Sequence, residues 1–243
     1  MNFVKVEART TNNSPIFNLE LPKVPKLTYL YEGVVDSVHF IARFCKNPTT
    51  VGSIIPSSPF LAEKMVKYIP SRDVKEESKK TKIYYLEVGP GTGVVTDKLV
   101  KAAEKEATID IIELDKVFCQ LLIKRFADKK NVHIHNIAIE HWKPKYKYDA
   151  IVSGLPLNSF SPEQVSNFLQ IFKKLAKPEA TVHYFEYIGL PDLKKRFLSK
   201  SERETFEKTL EIKQKFFDIY GYATDVVPLN VTPARVLHHR MKD

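Results

Sequence analysis

The residues best suited to chemistry lie in Glu87-Val88-Gly89-Pro90-Gly91-Thr92-Gly93, a Gly-x-Gly-x-Gly run between an apolar strand at 83–88 and a helix at 92–104. Glycines there let the backbone turn tightly and approach a ligand with no Cβ in the way. The spacing is not the Gly-x-Gly-x-x-Gly of dinucleotide sites, so no pyrophosphate has to be cradled. It suits a ligand with a sulfonium and an amino-acid tail. Twenty positions past Gly93, Glu113 stands in Ile111-Ile112-Glu113-Leu114-Asp115, at the end of the next strand. A carboxylate at that place can accept hydrogen bonds from two ribose hydroxyls. Asp115 fits the N-cap of the helix that follows.

These residues need a scaffold that brings strand ends together. Strands are predicted at 83–88, 108–114, 132–135, 149–153 and 181–187, with helices at 92–104, 116–127 and 162–175. Such alternation implies an α/β fold: a mainly parallel sheet with helices on both faces. A long charged helix is expected near 190–208, then strands at 211–219 and 234–239, with Gly221 and 228–233 suiting the turn between two antiparallel strands. Residues 1–28, with Pro15, Pro22 and Pro25, read as an irregular arm. Residues 29–81 read as a helical cap, whose first helix could face either a core or a surface, and 82–243 as the ligand-binding domain. Within the cap, Val34, Val35, Val38, Ile41 and Phe44 form one apolar helix face, and a second helix at 59–68 takes Ser58 as N-cap and Pro59 as first residue.

The chain has 243 residues and is 43% hydrophobic, enough for a substantial core. No stretch approaches the roughly 20 apolar residues that span a bilayer, and the first 13 residues carry no apolar signal region, so a cytoplasmic location is expected. The formal charge of +9 favours polyanions, either nucleic acid or an anionic membrane surface. Cys45 and Cys119 read as packing residues in a reducing compartment. The seven histidines lack ligand spacing, and no metal site is expected.

The segment 87–96 resembles the first motif of class I S-adenosylmethionine-dependent methyltransferases, and Glu113-Leu114-Asp115 resembles their second. The resemblance implies a Rossmann-like sheet of seven strands with an N-terminal helical extension, and S-adenosylmethionine as cofactor. It places Glu87 near the methionine amino group, Gly89, Gly91, Thr92 and Gly93 along the cofactor, and Glu113 with Leu114 at the ribose. Ser58, Ile137, Ala138 and Ser153 complete the implied cofactor set.

Two groups within that class compete. Enzymes acting on adenine N6, such as the rRNA adenine dimethylases, need Asn/Asp-Pro-Pro-Tyr or a close variant after the fourth strand of the domain, to bond the exocyclic amine and stack on the flipped base. This chain has Ser153-Gly154-Leu155-Pro156-Leu157-Asn158-Ser159-Phe160, with no side chain at Gly154 and no ring at Leu157. That run resembles the bacterial phosphatidylethanolamine N-methyltransferases. So do 44–65, with Asn47-Pro48 and Ser57-Ser58, and Asn230-Val231-Thr232-Pro233-Ala234-Arg235-Val236, where Thr232 replaces a proline. The resemblance departs at Asn136-Ile137-Ala138, where an adenine-binding acid is expected and Ile137 stands instead.

By this resemblance the substrate is a phospholipid amine, met on the inner face of the membrane by a peripheral protein. Leu155, Pro156 and Asn158 are expected to border the substrate, Arg196 to attract phosphate headgroups, and the helix at 33–44 to lie in the headgroup plane. Tyr187 is the first residue expected to orient the amine, with His183, Glu186 and His141 as alternatives. Methylation of RNA or another amine, and a noncatalytic module that binds cofactor or membrane, are the competing readings.

Overall fold

A computed structural model describes residues 7–11, 14–18, 58–70, 82–103, 107–230 and 232–242. The chain divides into two compact units, 1–46 and 47–243. In the first, β1 (Glu7–Thr11) and β2 (Ser14–Asn18) pair as an antiparallel hairpin. Ten residues of the expected irregular arm thus lie in strands. The expected helix at 33–44 and the motif residues before Ser58 lie outside the described residues.

The second unit is a seven-stranded sheet in the order β5-β4-β3-β6-β7-β9-β8. Its strands are β3 (Tyr84–Val88), β4 (Thr108–Glu113), β5 (Val132–Asn136), β6 (Tyr148–Ser153), β7 (Ala176–Tyr187), β8 (Gly221–Val227) and β9 (Ala234–Arg240). β5, β4, β3, β6 and β7 run parallel, while β9 is antiparallel to β7 and to β8. This is the mainly parallel sheet expected from the alternation, with the seven strands that the resemblance implied. Order reverses between β4 and β6 on either side of β3, which makes the carboxyl ends of these strands the natural ligand crevice.

Alternation along each strand builds two cores. Leu86, Val88, Ile112, Ile151, Val182 and Tyr184 face one side, beneath α4 (Pro162–Leu175) and α6 (Lys200–Tyr220). Tyr85, Ile109, Ile111, Ala150, Val152 and Val236 face the other, against α1 (Pro59–Met65), α2 (Val94–Ala102) and α3 (Lys116–Arg125). Leu61, Ala62 and Met65 of α1 are fully buried in that second core, so this helix packs as part of the second unit.

Three expectations change. The long helix is two, α5 (Leu190–Phe197) and α6, separated where Ser199 caps α6 in a reciprocal box with Glu202. The expected strand at 211–219 is the second half of α6, because Phe206, Thr209, Lys213 and Phe216 recur every three to four residues and turn to one face. The strand before the final turn is instead β8, so Gly221 begins a strand and does not lie in the turn. His183 and Glu186, weighed as alternatives to Tyr187, are both buried.

A buried polar knot fixes the far edge of the sheet. Asp110 on β4 accepts hydrogen bonds from the Tyr146 hydroxyl (2.6 Å) and the Tyr148 hydroxyl (2.9 Å), and lies 2.9 Å from His135 Nε2. Trp142 Nε1 donates to the Tyr148 hydroxyl in turn. Burial alone would raise the Asp110 pKa, but the bonds from His135, Tyr146 and Tyr148 outweigh it and hold the carboxyl below its ordinary value. A depressed folded pKa contributes stability that is fully present above the unfolded value and is lost as pH falls through the folded one. Asp110→Ala should therefore cost about 2–4 kcal/mol in urea unfolding at pH 7. The gap from the unaltered protein should shrink as pH falls below the usual carboxylate range. A gap independent of pH would show that the charge contributes nothing.

Candidate active site

The glycine loop leaves β3 and enters α2 through three left-handed residues: Gly89 (φ +68°), Gly91 (φ +56°) and Gly93 (φ +84°). Gly93 is the N-cap of α2, and a Cβ there would meet Leu122 Cδ2 at 2.7 Å. A Cβ on Gly91 would meet nothing within 4 Å, so its backbone faces open space. The loop is tied to its neighbours from several sides. Gly89 N donates to Ile112 O of β4 (2.9 Å), and Gly154 N beyond β6 donates to Val88 O (2.8 Å). Arg125 from the last turn of α3 donates to Thr92 O (2.6 Å) and pairs with Asp97.

Glu113 stands across from the loop at the end of β4. Its Oε2 accepts from Gly91 N (3.1 Å) and its Oε1 from Asp115 N (2.8 Å). Burial raises its pKa, and those two backbone donors oppose the shift. Asn136 closes β5 beside it, donating to Glu113 O and to Leu114 O, each at 2.9 Å. Leu114 is exposed, Ile137 packs partly buried against the first core, and Ala138 opens the 3-10 turn Ile139–His141, where His141 is exposed. Asp115 caps α3, accepting from Val117 N and Phe118 N, as its position suggested.

Glu87 lies beneath the loop and is 1% exposed. Its Oε2 has no hydrogen-bond partner among the described residues. Burial pushes its pKa up to about 8, opposed by the adjacent Thr96 hydroxyl and reinforced by the charge of Glu113. A buried carboxyl with an unsatisfied oxygen suits a cationic amino group. Together, the open backbone at Gly91, the acid at the end of β4 and the orphaned oxygen of Glu87 fit a cofactor with an amino-acid tail and a ribose.

The methyltransferase-domain family matches residues 86–179. Ornithine lipid N-methyltransferase of Singulisphaera acidiphila is 27% identical over 205 residues, 82% of this chain and 93% of that protein. Ribosomal RNA small subunit methyltransferase A of a Synechococcus species is 30% identical over 107 residues, 44% of this chain and 35% of that one. Among solved structures, the N-methyltransferase NodS of Bradyrhizobium japonicum with S-adenosyl-L-homocysteine superposes with a TM-score of 0.52 at 12% identity, covering 76% of this chain and 89% of that one. The chain is a class I S-adenosylmethionine-dependent methyltransferase.

The residues expected to border the substrate begin where β6 ends. Ser153 is buried, paired in register with Val88, and its hydroxyl accepts from Leu155 N (3.3 Å). Leu155 leans over Gly89, and Pro156 opens the 3-10 turn Leu157–Ser159 that carries Asn158. Sequence reasoning missed what Asn158 touches: its Oδ1 accepts from Lys213 of α6, which also pairs with Glu186 of β7. Arg235 of β9 donates from Nε to the other Glu186 oxygen (2.6 Å). The signal was a lysine inside the apolar stripe of α6, between Thr209 and Phe216. Tyr187 is 7% exposed and packs into the second core with Phe185 beside it; burial raises its hydroxyl to about 12. Ser58 caps α1, and its backbone N donates to Asn230 Oδ1 (3.0 Å), so the chain's two ends of resemblance meet. Arg196 is exposed on α5, and the structure gives it no place among these residues.

Gly154 is the tightest point. A Cβ there would stand 2.3 Å from Gly89 O, a backbone atom that cannot swing aside. Gly154→Ala should push the two loops apart, lowering stability by about 1–3 kcal/mol and weakening cofactor binding at least tenfold. Calorimetry and urea unfolding would check both, and an alanine enzyme with unaltered affinity would disprove the coupling of the loops.

Proposed function

We propose that this methyltransferase transfers a methyl group to the amine of a phospholipid headgroup, phosphatidylethanolamine or its methylated forms, at a membrane surface. The observation that carries this reading is the loop after β6. An adenine-N6 enzyme uses a side chain at the position of Gly154 to bond the base, and here a single Cβ already collides with Gly89 O. The loop cannot be given that side chain without displacing the cofactor loop. The ornithine lipid enzyme, similar over most of both chains, supports an amine-bearing lipid. The net charge of +9 supports an anionic surface. No helix among the described residues is long and apolar enough to cross a membrane.

S-adenosylmethionine supplies a methyl group on a sulfonium, open to in-line attack. The residues of the chain hold and align the partners. Gly89, Gly91, Thr92 and Gly93 would hold the cofactor along their backbone, with Ser153 and Ser58 at its borders. Glu87 would receive its ammonium, Glu113 and Leu114 its ribose, and Ile137 and Ala138 would border its adenine with backbone groups. An ethanolamine amine has a pKa near that of lysine, about 10, and must lose a proton to solvent before it attacks. Desolvation by Leu155 and Pro156 favours the neutral amine. Tyr187, whose pKa near 12 keeps its hydroxyl protonated at neutral pH, orients the amine and is not its base. The two alternatives on β7 are engaged elsewhere: His183 lies 2.8 Å from His238 Nδ1 and 2.9 Å from Thr181 Oγ1, and Glu186 is bound by Lys213 and Arg235.

Two measurements test this. Glu87, with a pKa of about 8 before binding, is mostly protonated at pH 7, and an ammonium beside it favours the ionised form. Cofactor binding at pH 7 should then release roughly 0.9 proton, falling toward zero above about pH 9. Titration calorimetry in buffers of different ionisation enthalpy reads this number, and Glu87→Gln should abolish it. Labelled methyl should also enter vesicles of phosphatidylethanolamine and phosphatidylglycerol, and not small-subunit rRNA. Labelling of rRNA alone would replace the lipid by a nucleobase.

A further inference from the structure

A cleft of about 660 Å³ opens beside β7 and β9, walled by α6 and the start of α5. Tyr187 lines it, and so do Ile188, Leu210 and Phe217. At its base sit Glu186, Lys213 and Arg235. Glu186 and Lys213 are nearly sealed from solvent, with side chains 8% and 5% exposed, whereas the Arg235 side chain is 50% exposed. Burial alone would raise the Glu186 pKa, but Lys213 and Arg235 together hold it ionised below its ordinary value.

The geometry of Arg235 is asymmetric. Its Nε and one terminal nitrogen meet Glu186, while Nη1 has no partner among the described residues. A guanidinium clamped along one edge by a buried carboxylate is fixed in plane, and its remaining donors form a fork suited to a carboxylate or phosphate. Lys213 adds a second positive charge behind Glu186, so the triad carries one net positive charge. Lys213 also holds Asn158, which ties the triad to the loop after β6. The exposed acids Asp192 and Glu211 stand on the cleft lining. They oppose a simple anion, whereas a zwitterion meets favourable charges of both signs.

We propose that Arg235, anchored by Glu186 and Lys213, binds the oxyanion of a zwitterionic amine-bearing headgroup and so selects the methyl acceptor. This rests on the amine-lipid reading above and adds to it the residue that recognises the acid half of the headgroup. The shared chemistry is an oxyanion a few bonds from the amine, supplied by a phosphodiester or by a free carboxylate.

The test compares three acceptors in mixed micelles: phosphatidylethanolamine, an acylated ornithine lipid with a free carboxylate, and a long-chain alkylamine with no anionic group. The unaltered enzyme should prefer at least one zwitterion over the alkylamine by tenfold or more in kcat/KM, and which one names the oxyanion. Arg235→Gln should reduce that preference about tenfold through KM, and Arg235→Lys should recover part of it. Calorimetry with S-adenosylmethionine confirms that each variant still folds and binds cofactor. An active enzyme whose preference is the same with and without Arg235, or which prefers the alkylamine, overturns the oxyanion site. If the unaltered enzyme methylates none of the three, the amine-lipid reading itself falls, and the oxyanion site with it.

Discussion

The close approach of two backbones, at Gly89 and Gly154, governs the rest of the site. β3 and β6 are parallel neighbours, and their chains leave the sheet at the same level, Val88 opposite Ser153. Parallel strands about 5 Å apart give two departing loops almost no room. The first must reverse into α2, and the second must pass over it. Glycine on both sides is the solution, with Gly154 N donating to Val88 O and Leu155 resting on Gly89. One contact thereby sets the path of the glycine loop and the height at which the loop after β6 begins. A residue that only seemed to lack a side chain for base recognition is one that cannot have one.

Around this contact the structure distributes its polar bonds according to burial. Glu113 has both oxygens satisfied by backbone N–H groups, so it steadies the loop before any ribose is present. Glu87 has an oxygen with no partner among the described residues, at a depth where such an atom is costly. The two acids differ in what they are ready to do. One is prearranged by the fold, and the other stores an unmet demand that a cation can satisfy. Asn136 adds to the contrast. It sits just before the position where an adenine-binding acid was expected, and its amide is spent on the carbonyls of Glu113 and Leu114. The turn after β4 is thus braced by a neutral amide, and Ile137 is left to pack on the core.

Legibility from the sequence follows the range of the interactions. The glycine loop and the caps at Ser58 and Asp115 rest on contacts between residues near in sequence, and the five parallel strands announce themselves by local apolar runs although their pairing is long-range. Glu113 was readable because one strand-and-helix unit fixes its distance from Gly93. The end of the chain was harder. The segment 211–219 has apolar residues close enough to imitate a strand, and only the cap at Ser199 and the stripe through Phe206 and Phe216 reveal a single 21-residue helix. The partners of Asn158 and Ser58 could not be read at all, because Lys213 and Asn230 lie 55 and 172 residues away. Arg196 drew attention as one of three consecutive basic residues, yet the positive charge at the cleft comes from isolated residues on separate elements, Lys213 and Arg235.

That last placement has an energetic logic. A buried ion pair is a poor source of stability, since desolvating both charges offsets most of their attraction. An apolar pair at Glu186 and Lys213 would hold α6 on β7 at least as well. What an apolar pair would lack is direction. Lys213 fixes the Asn158 carboxamide and one Glu186 oxygen at once, and the second Glu186 oxygen fixes Arg235. The chain of contacts runs from the loop after β6 through the sheet to the last strand, and each link sets an angle. Removing Lys213 would leave a buried carboxylate with one partner and take a hydrogen bond from Asn158, so the damage would spread to the loop after β6 before it reached the core. The pair is therefore better understood as a rigid mount for polar groups at the cleft than as a bond holding the fold together.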